Sequence, residues 1–75
     1  MAETLDKPVV LNAVYNENGR LVRWTDAIYS PEDGGWYLQE NNEDIPDRFS
    51  NEVFPSLEAC RKAFKSKAFN WVGDA

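Results

Sequence analysis

The sequence predicts an α+β fold, an antiparallel meander of three to four strands with one C-terminal helix packed on a sheet face. Apolar and polar residues alternate with the two-residue period of a strand over residues 8–15 and again over 20–30. After Pro55, apolar residues recur at helical spacing instead. The 75 residues allow one small domain, 1–75, and we expect residues 1–7 and 73–75 to fray.

The first two strands are predicted to form a hairpin around Asn18-Gly19, a dipeptide that tolerates the positive φ of a tight turn. A two-residue loop there places Ala13 opposite Trp24 and Tyr15 opposite Val22. It also collects most apolar side chains on one face, with Asp26 as the exception. That predicted face consists of Val9, Leu11, Ala13, Tyr15, Val22, Trp24 and Ile28.

A second turn over residues 30–35 leads to a third strand over 36–40 and an acidic loop over 41–47. Residues 48–54 alternate again and predict a weaker fourth strand.

The length of the second turn decides which way the third strand faces. An even loop places Trp36 and Leu38 on the face away from Trp24, where Tyr29, Ala27 and Val10 would join them. The sheet would then be apolar on both sides, and an uncovered aromatic patch of this kind is typical of a binding or dimer surface. An odd loop, with Gly34 or Gly35 in the left-handed conformation, returns Trp36 and Leu38 to the core. The sequence leaves both geometries open.

The helix is predicted to begin after Ser56, a favourable N-cap, with Glu58 in the first turn and Lys62 four residues later. Phe69 either turns inward beyond a helix that stops near Lys67 or stays exposed as a contact residue. The predicted core stripe of the helix is Leu57, Cys60, Phe64, Ala68 and Trp71.

Several classes of function are disfavoured by composition. The chain has no histidine and one cysteine, which removes histidine-based catalysis, a disulfide framework and cysteine-cluster metal sites. Its glycines form no phosphate-binding motif, and the acidic loop lacks calcium-loop spacing. Cys60 lies on the apolar stripe, where burial would raise its pKa. We therefore predict no enzyme activity, no catalytic residues, no cofactor and no metal.

Charge is unevenly distributed along the chain, which has a formal net charge of −5. Residues 1–60 contain twelve acidic and four basic side chains, whereas 61–75 contain four basic and one acidic. The acidic part would attract a basic partner. The basic residues of the helix, with one aromatic neighbour, form an alternative nucleic-acid face, although repulsion from the rest of the chain favours a solvated helix surface. That alternative face is Arg61, Lys62, Lys65, Lys67 and Phe69.

The leading functional hypothesis is a small acidic, non-catalytic protein-binding module, an inhibitor or accessory protein of a bacterium, phage or mobile element. Its partner is another protein or a second copy of the chain, and nucleic acid is disfavoured. A small-ligand carrier with an aromatic pocket is a further alternative. No membrane-spanning run or signal peptide is evident, so a cytoplasmic location is expected. The predicted partner-binding residues are Tyr29, Trp36 and Leu38, rimmed by Arg23 and Glu40.

Overall fold

The computed structural model describes residues 7–73 and confirms the α+β meander. Five antiparallel strands lie in the order β1-β2-β3-β4-β5, and one helix packs on the sheet. The expected fraying of the two ends falls largely outside the described residues. The elements are β1 Val9–Tyr15, β2 Leu21–Ser30, β3 Gly35–Asn42, β4 Arg48–Ser50, α1 Leu57–Ser66 and β5 Trp71–Gly73.

The first hairpin turns through a three-residue loop rather than the predicted two-residue loop. The amide of Gly19 donates to the carbonyl of Asn16 at 2.9 Å, and Gly19 has a φ of 81°. The Asn16 side chain accepts hydrogen bonds from the amides of Asn18 and Arg20 at 2.8 and 3.0 Å. These bonds stabilise a type I turn followed by a left-handed glycine, so only Gly19 needs a positive φ.

Two irregularities then shift the register between β1 and β2. Ala13 pairs with Trp24 as predicted, but Tyr15 pairs with Leu21 and Val9 pairs with Ala27. The shifts lie at Val22 in β2 and at Leu11 in β1, each of which is an extra residue in its strand. Because the second shift moves Val9 to the other face, the single apolar face predicted for this hairpin is wrong.

The second turn has an even loop of four residues, since Ser30 pairs with Gly35. Gly34 has a φ of 66°, its amide donates to the carbonyl of Ser30 at 2.9 Å, and the Ser30 hydroxyl donates to Asp33 at 3.0 Å. Leu38 consequently pairs with Ala27, on the face away from Trp24. The even-loop alternative is therefore the one that the protein adopts.

Helix α1 begins as predicted but ends earlier than its apolar stripe suggests. The Ser56 hydroxyl accepts a hydrogen bond from the amide of Ala59 at 3.0 Å. At the other end, Lys67 adopts the left-handed conformation with a φ of 58°, which terminates the helix. Trp71 lies in strand β5 instead of on the helix, and Ala68 is exposed.

The fourth strand is shorter than predicted, and a fifth strand pairs with it. An asparagine pair adjoins β4 and β5: the Asn51 amide donates to the Asn70 carbonyl at 2.8 Å, and the Asn70 amide donates to the Asn51 side chain at 3.1 Å. Further along the chain, Phe54 forms an isolated bridge with Trp36. The chain is thus attached to the sheet both before the helix, at Phe54, and after it, at β5.

The core lies between α1 and the centre of the sheet, where α1 contacts β2 and β3. Leu38 and Cys60 are its largest fully buried side chains. Ala27 beneath the helix and Ala63 on it are small, which allows the helix to approach the sheet closely. Residues 7–73 contain no helix that is long and apolar enough to cross a membrane.

Candidate binding surfaces

The predicted partner-binding residues lie beneath the helix rather than on an uncovered face. Trp36 is 8% exposed and Leu38 is fully buried, and both belong to the hydrophobic core. Tyr29 is half-buried against Trp36, with ring centroids 5.5 Å apart in an edge-to-face arrangement. The exposure expected for this patch is wrong, because α1 covers the Trp36 face and leaves the Trp24 face open.

The two predicted rim residues, Arg23 and Glu40, share an ion-pair network on the side of the sheet that α1 covers. The guanidinium of Arg23 lies 3.9 Å from the Glu40 carboxylate, which also pairs with Arg48. Arg48 in turn lies over the ring of Trp71, 5.2 Å from its centroid. The Glu40 carboxylate therefore already has ion-pair partners, Arg23 and Arg48, within its own chain. This network links β3, β4 and β5 where the three strands meet.

The sheet face turned away from α1, here called the open face, carries a set of apolar side chains. Tyr37 and Phe49 lie 6.0 Å apart between ring centroids, and Phe49 and Val72 are 40% and 53% exposed. Cross-strand pairing places Ile28 beside Tyr37 and Val72 beside Phe49. The one helix in residues 7–73 lies on the opposite side. The apolar part of the open face is Trp24, Ile28, Tyr37, Phe49 and Val72.

A cluster of polar side chains occupies the middle of the open face. The side-chain amide of Asn41 donates to the Asp26 carboxylate at 3.3 Å. The side-chain amide of Gln39 donates to the Asn41 side-chain oxygen at 3.1 Å and to the Asp47 carboxylate at 3.0 Å. One oxygen of Asp26 is buried without a hydrogen-bond partner. Burial raises the pKa of Asp26 above its ordinary value of 3.8, an effect that the neighbouring side chains of Trp24 and Asn41 partly oppose.

This raised pKa makes a prediction about stability and pH. Because folded Asp26 holds its proton more tightly than the unfolded chain does, its favourable contribution is present below pH 3.8 and is lost as the pH rises through the folded pKa. We expect Asp26→Asn to raise Tm near neutral pH and to change it little in acid. Thermal melts of both proteins across that range measure the difference. Asp44→Asn, at an exposed loop position, controls for net charge, and a gain for Asp26→Asn that does not depend on pH would contradict the prediction.

The basic residues of the alternative nucleic-acid face are exposed, but Phe69, the aromatic residue of that face, packs against the core instead. Arg61, Lys62, Lys65 and Lys67 all reach solvent. Phe69 lies beyond the helix and packs edge-to-face on Trp71 with ring centroids 4.9 Å apart. The predicted grouping of Phe69 with the outward lysines is therefore wrong, because the left-handed Lys67 turns the chain back toward the core.

Two clefts border these basic residues. The first, here called the β1 cleft, has a volume of about 440 Å³ and lies between β1 and α1. The second, of about 450 Å³, lies beyond the C-terminal end of α1 and includes Asn12, Phe64, Lys67, Phe69 and Trp71 in its lining. The β1 cleft is lined by Val10, Leu11, Glu58, Arg61, Lys62, Phe64 and Lys65.

Cys60 matches its sequence-based interpretation as a small buried hydrophobe. It is fully buried, and desolvation raises its pKa to about 11. The thiolate is the nucleophilic form of cysteine, so the folded protein holds this residue in its unreactive state at neutral pH. Within residues 7–73, no three acidic or cysteine side chains come together as a candidate metal site.

Sequence reasoning missed the open face because it assigned Trp24 and Ile28 to the core and gave no role to Tyr37, Phe49 or Val72. A signal for it was present. Tyr37 alternates with Trp36 and Leu38 along β3. The even loop places Trp36 and Leu38 on the face of the sheet away from Trp24, so it also places Tyr37 on the same face as Trp24, beside Ile28. No corresponding signal marks Val72, which follows from the early end of the helix.

The chain matches no protein-family model, no curated protein and no solved structure. The chemistry of its surfaces therefore carries the functional interpretation.

Proposed function

We propose that the chain is a non-catalytic protein-binding module that binds its partner through the open face. The observation that carries the proposal is a sheet face with three aromatic and two aliphatic side chains. No helix or second sheet within residues 7–73 packs on this face. A two-layer fold ordinarily leaves the outer face of its sheet polar. Ile28, Tyr37, Phe49 and Val72 form a contiguous apolar group on that face, as is typical of an interaction surface, and the polar cluster separates Trp24 from them.

The charge on the open face defines the chemistry of the partner. Asp26 and Asp47 lie in its polar cluster, and neither forms an ion pair within residues 7–73. The partner of this proposal is a folded protein with an apolar patch and basic side chains placed opposite these two carboxylates. Complementary charge of this kind accelerates association and selects among partners. An inhibitory or accessory role, and a cytoplasmic location for a chain with a free thiol, remain predictions that accompany this proposal.

A capture experiment with matched variants tests the proposal. The tagged protein, Phe49→Asp and Val72→Asp would each be incubated with nuclease-treated lysate of the source organism, and bound proteins identified by mass spectrometry. Each variant places a charge in the apolar part of the open face, so we expect both to lose a partner that the parent retains. Ile45→Asp makes the same kind of change in a loop, at a side chain that is 51% exposed, and is expected to retain it.

Three results would overturn the proposal. One is retention of the partner by Phe49→Asp and Val72→Asp, with circular dichroism showing that both are folded. Another is equal loss by Ile45→Asp, which would indicate general adhesion to apolar surface. The third is the absence of any protein enriched above the bead control.

A further inference from the structure

The β1 cleft has a strongly unbalanced charge. Three cationic side chains, Arg61, Lys62 and Lys65, line it together with the single carboxylate of Glu58. Its apolar lining is supplied by β1 and by Phe64 of the helix. The cleft therefore combines apolar surface with a positive rim, although the whole chain is acidic. That combination suits a ligand that carries apolar groups and negative charge together.

The bulge in β1 shapes this cleft. Val10 and Leu11 are consecutive in the strand, and in a regular strand their side chains would point to opposite faces. Leu11 is the extra residue of the bulge, and both it and Val10 line the cleft. Bulges commonly redirect a side chain at a sheet edge. Here Leu11 packs against the core on the helix side, whereas Val10 pairs with Asp26 and borders the cleft at the exposed edge of the sheet.

The wall of the cleft is also an unpaired sheet edge. Strand β1 lies first in the order of the sheet, and no other described strand pairs with its outer side. Such an edge presents unpaired amide and carbonyl groups, which proteins usually protect with charged residues or proline. The seven residues of β1, VVLNAVY, contain neither. Apart from its bulge, the edge is therefore open to pairing with another extended chain.

We propose that the β1 cleft binds an extended acidic peptide segment, which pairs with the outer edge of β1 as an additional strand. Its backbone would hydrogen-bond to β1, and its helix-facing side would carry apolar side chains on Leu11 and Phe64 together with carboxylates that face the basic residues of α1. Addition of a strand beside a groove is an established mode of peptide recognition. This site is separate from the open face and does not depend on it.

The same observations disfavour two other occupants. A second copy paired through β1 about a two-fold axis would bring both sets of α1 cations together on one side of the sheet, and like charges repel. Single-stranded nucleic acid needs free aromatic faces for stacking. Phe69 and Trp71 pack against each other, and Arg48 covers the Trp71 ring.

Selection from a random-peptide phage library tests the proposal with the full-length protein. We expect the enriched peptides to contain acidic and apolar or β-branched residues two positions apart, so that both kinds of side chain lie on one face of the strand. One such peptide, synthesised and labelled, would then be titrated by fluorescence anisotropy. Lys62→Glu is expected to weaken its binding about fivefold, as for a partly exposed ion pair. Arg20→Glu, an identical change of charge at an exposed hairpin position, is expected to leave binding unchanged.

Two versions of the peptide test strand addition without altering the protein. Each version is N-methylated at alternate residues, so that in one the methyl groups face β1 and in the other they face solvent. We expect one version to lose binding and the other to retain it. Chemical-shift mapping of the protein should locate the perturbed amides in β1 and α1, and Phe49→Asp should bind the peptide as the parent protein does.

The outcomes that would overturn this proposal are distinct from those for the open face. They are the absence of enriched peptides, enriched peptides without an acidic excess, equal effects of both N-methylated versions, and insensitivity to Lys62→Glu. Dimerisation that is abolished by changes in β1 would identify a second copy as the occupant. Salt-sensitive binding of a single-stranded oligonucleotide that displaces the peptide would identify nucleic acid.

Discussion

Trp36→Ala is expected to remove a large fraction of the free energy of unfolding. Truncating a buried tryptophan costs about 4 kcal/mol through lost burial and the cavity that remains. A chain of this length has a free energy of unfolding of about 4–11 kcal/mol. Trp36 is 8% exposed and packs in the core, so at least about a third of the free energy of unfolding depends on it. Urea denaturation followed by circular dichroism measures the loss.

Trp24→Ala is the matched comparison, because it removes the same side chain from the opposite face of the sheet. Trp24 is only half-buried and lies on the open face. Its truncation therefore leaves no enclosed cavity, and we expect a clearly smaller decrease in the free energy of unfolding. The reverse order, with Trp24→Ala unfolding the protein and Trp36→Ala tolerated, would mean that the helix covers the other face.

Gly35→Ala is the second substitution from which we expect a large loss of stability. A Cβ added at Gly35 would lie 2.5 Å from the carbonyl oxygen of Phe54 and 2.6 Å from Cγ1 of Val53. The side chain can move, but the Phe54 backbone is fixed by hydrogen bonds to Trp36 in both directions. Relieving the clash requires a backbone shift, and we expect a cost of about 2–3 kcal/mol, measured by urea denaturation.

Gly34→Ala, one residue earlier, separates the two reasons for which a chain uses glycine. Gly34 has a φ of 66° and open space around it, so an added Cβ there causes backbone strain without a clash. We expect a cost of about 1 kcal/mol for that strain. If Gly34→Ala were the more damaging of the two, the close approach of Phe54 to Gly35 would not be a determinant of stability.

The architecture could be predicted from the sequence because its local signals are strong. The alternation in the first two strands, the Ser56 cap and the glycines of both turns each point to the same meander. What could not be predicted was the face that the helix covers. That choice depends on the number of residues in the second turn, and the adjacent Gly34 and Gly35 are compatible with either parity. The structure shows that they serve different purposes, since only Gly34 has a positive φ.

The departures from the predicted elements have a similar origin in tertiary structure. The helical spacing of apolar residues continues to Trp71, but Lys67 ends the helix in a conformation that non-glycine residues seldom adopt. A helix that stops near Lys67, with Phe69 turned inward, is one of the two alternatives that the sequence leaves open, and the structure confirms it. Pairing of β5 with β4 satisfies the backbone of residues that could otherwise have extended the helix. The two bulges of the first hairpin likewise have no signature in the alternation of the sequence.

Of the candidate binding surfaces, the basic helix was identified from the sequence, whereas the open face was missed although the alternation of Tyr37 with Trp36 and Leu38 indicated it. The cations of α1 follow from their spacing alone, and they are exposed as expected. Their relation to the unpaired edge of β1 required the structure, because those two segments are far apart in the chain. The residues first proposed for partner binding, Trp36 and Leu38, stabilise the fold, and any role of theirs in binding would be indirect.

The asparagine pair between β4 and β5 has a consequence for the order in which the chain folds. Sheet pairing always joins strands that follow one another, so the first two pairings close only short loops. The last pairing closes a loop of 20 residues, from Ser50 to Trp71, that contains the whole helix. Loop-closure entropy grows only with the logarithm of length, so this step adds little to the barrier. The chain can therefore assemble from its N-terminal hairpin onward, with Asn51 and Asn70 joining last.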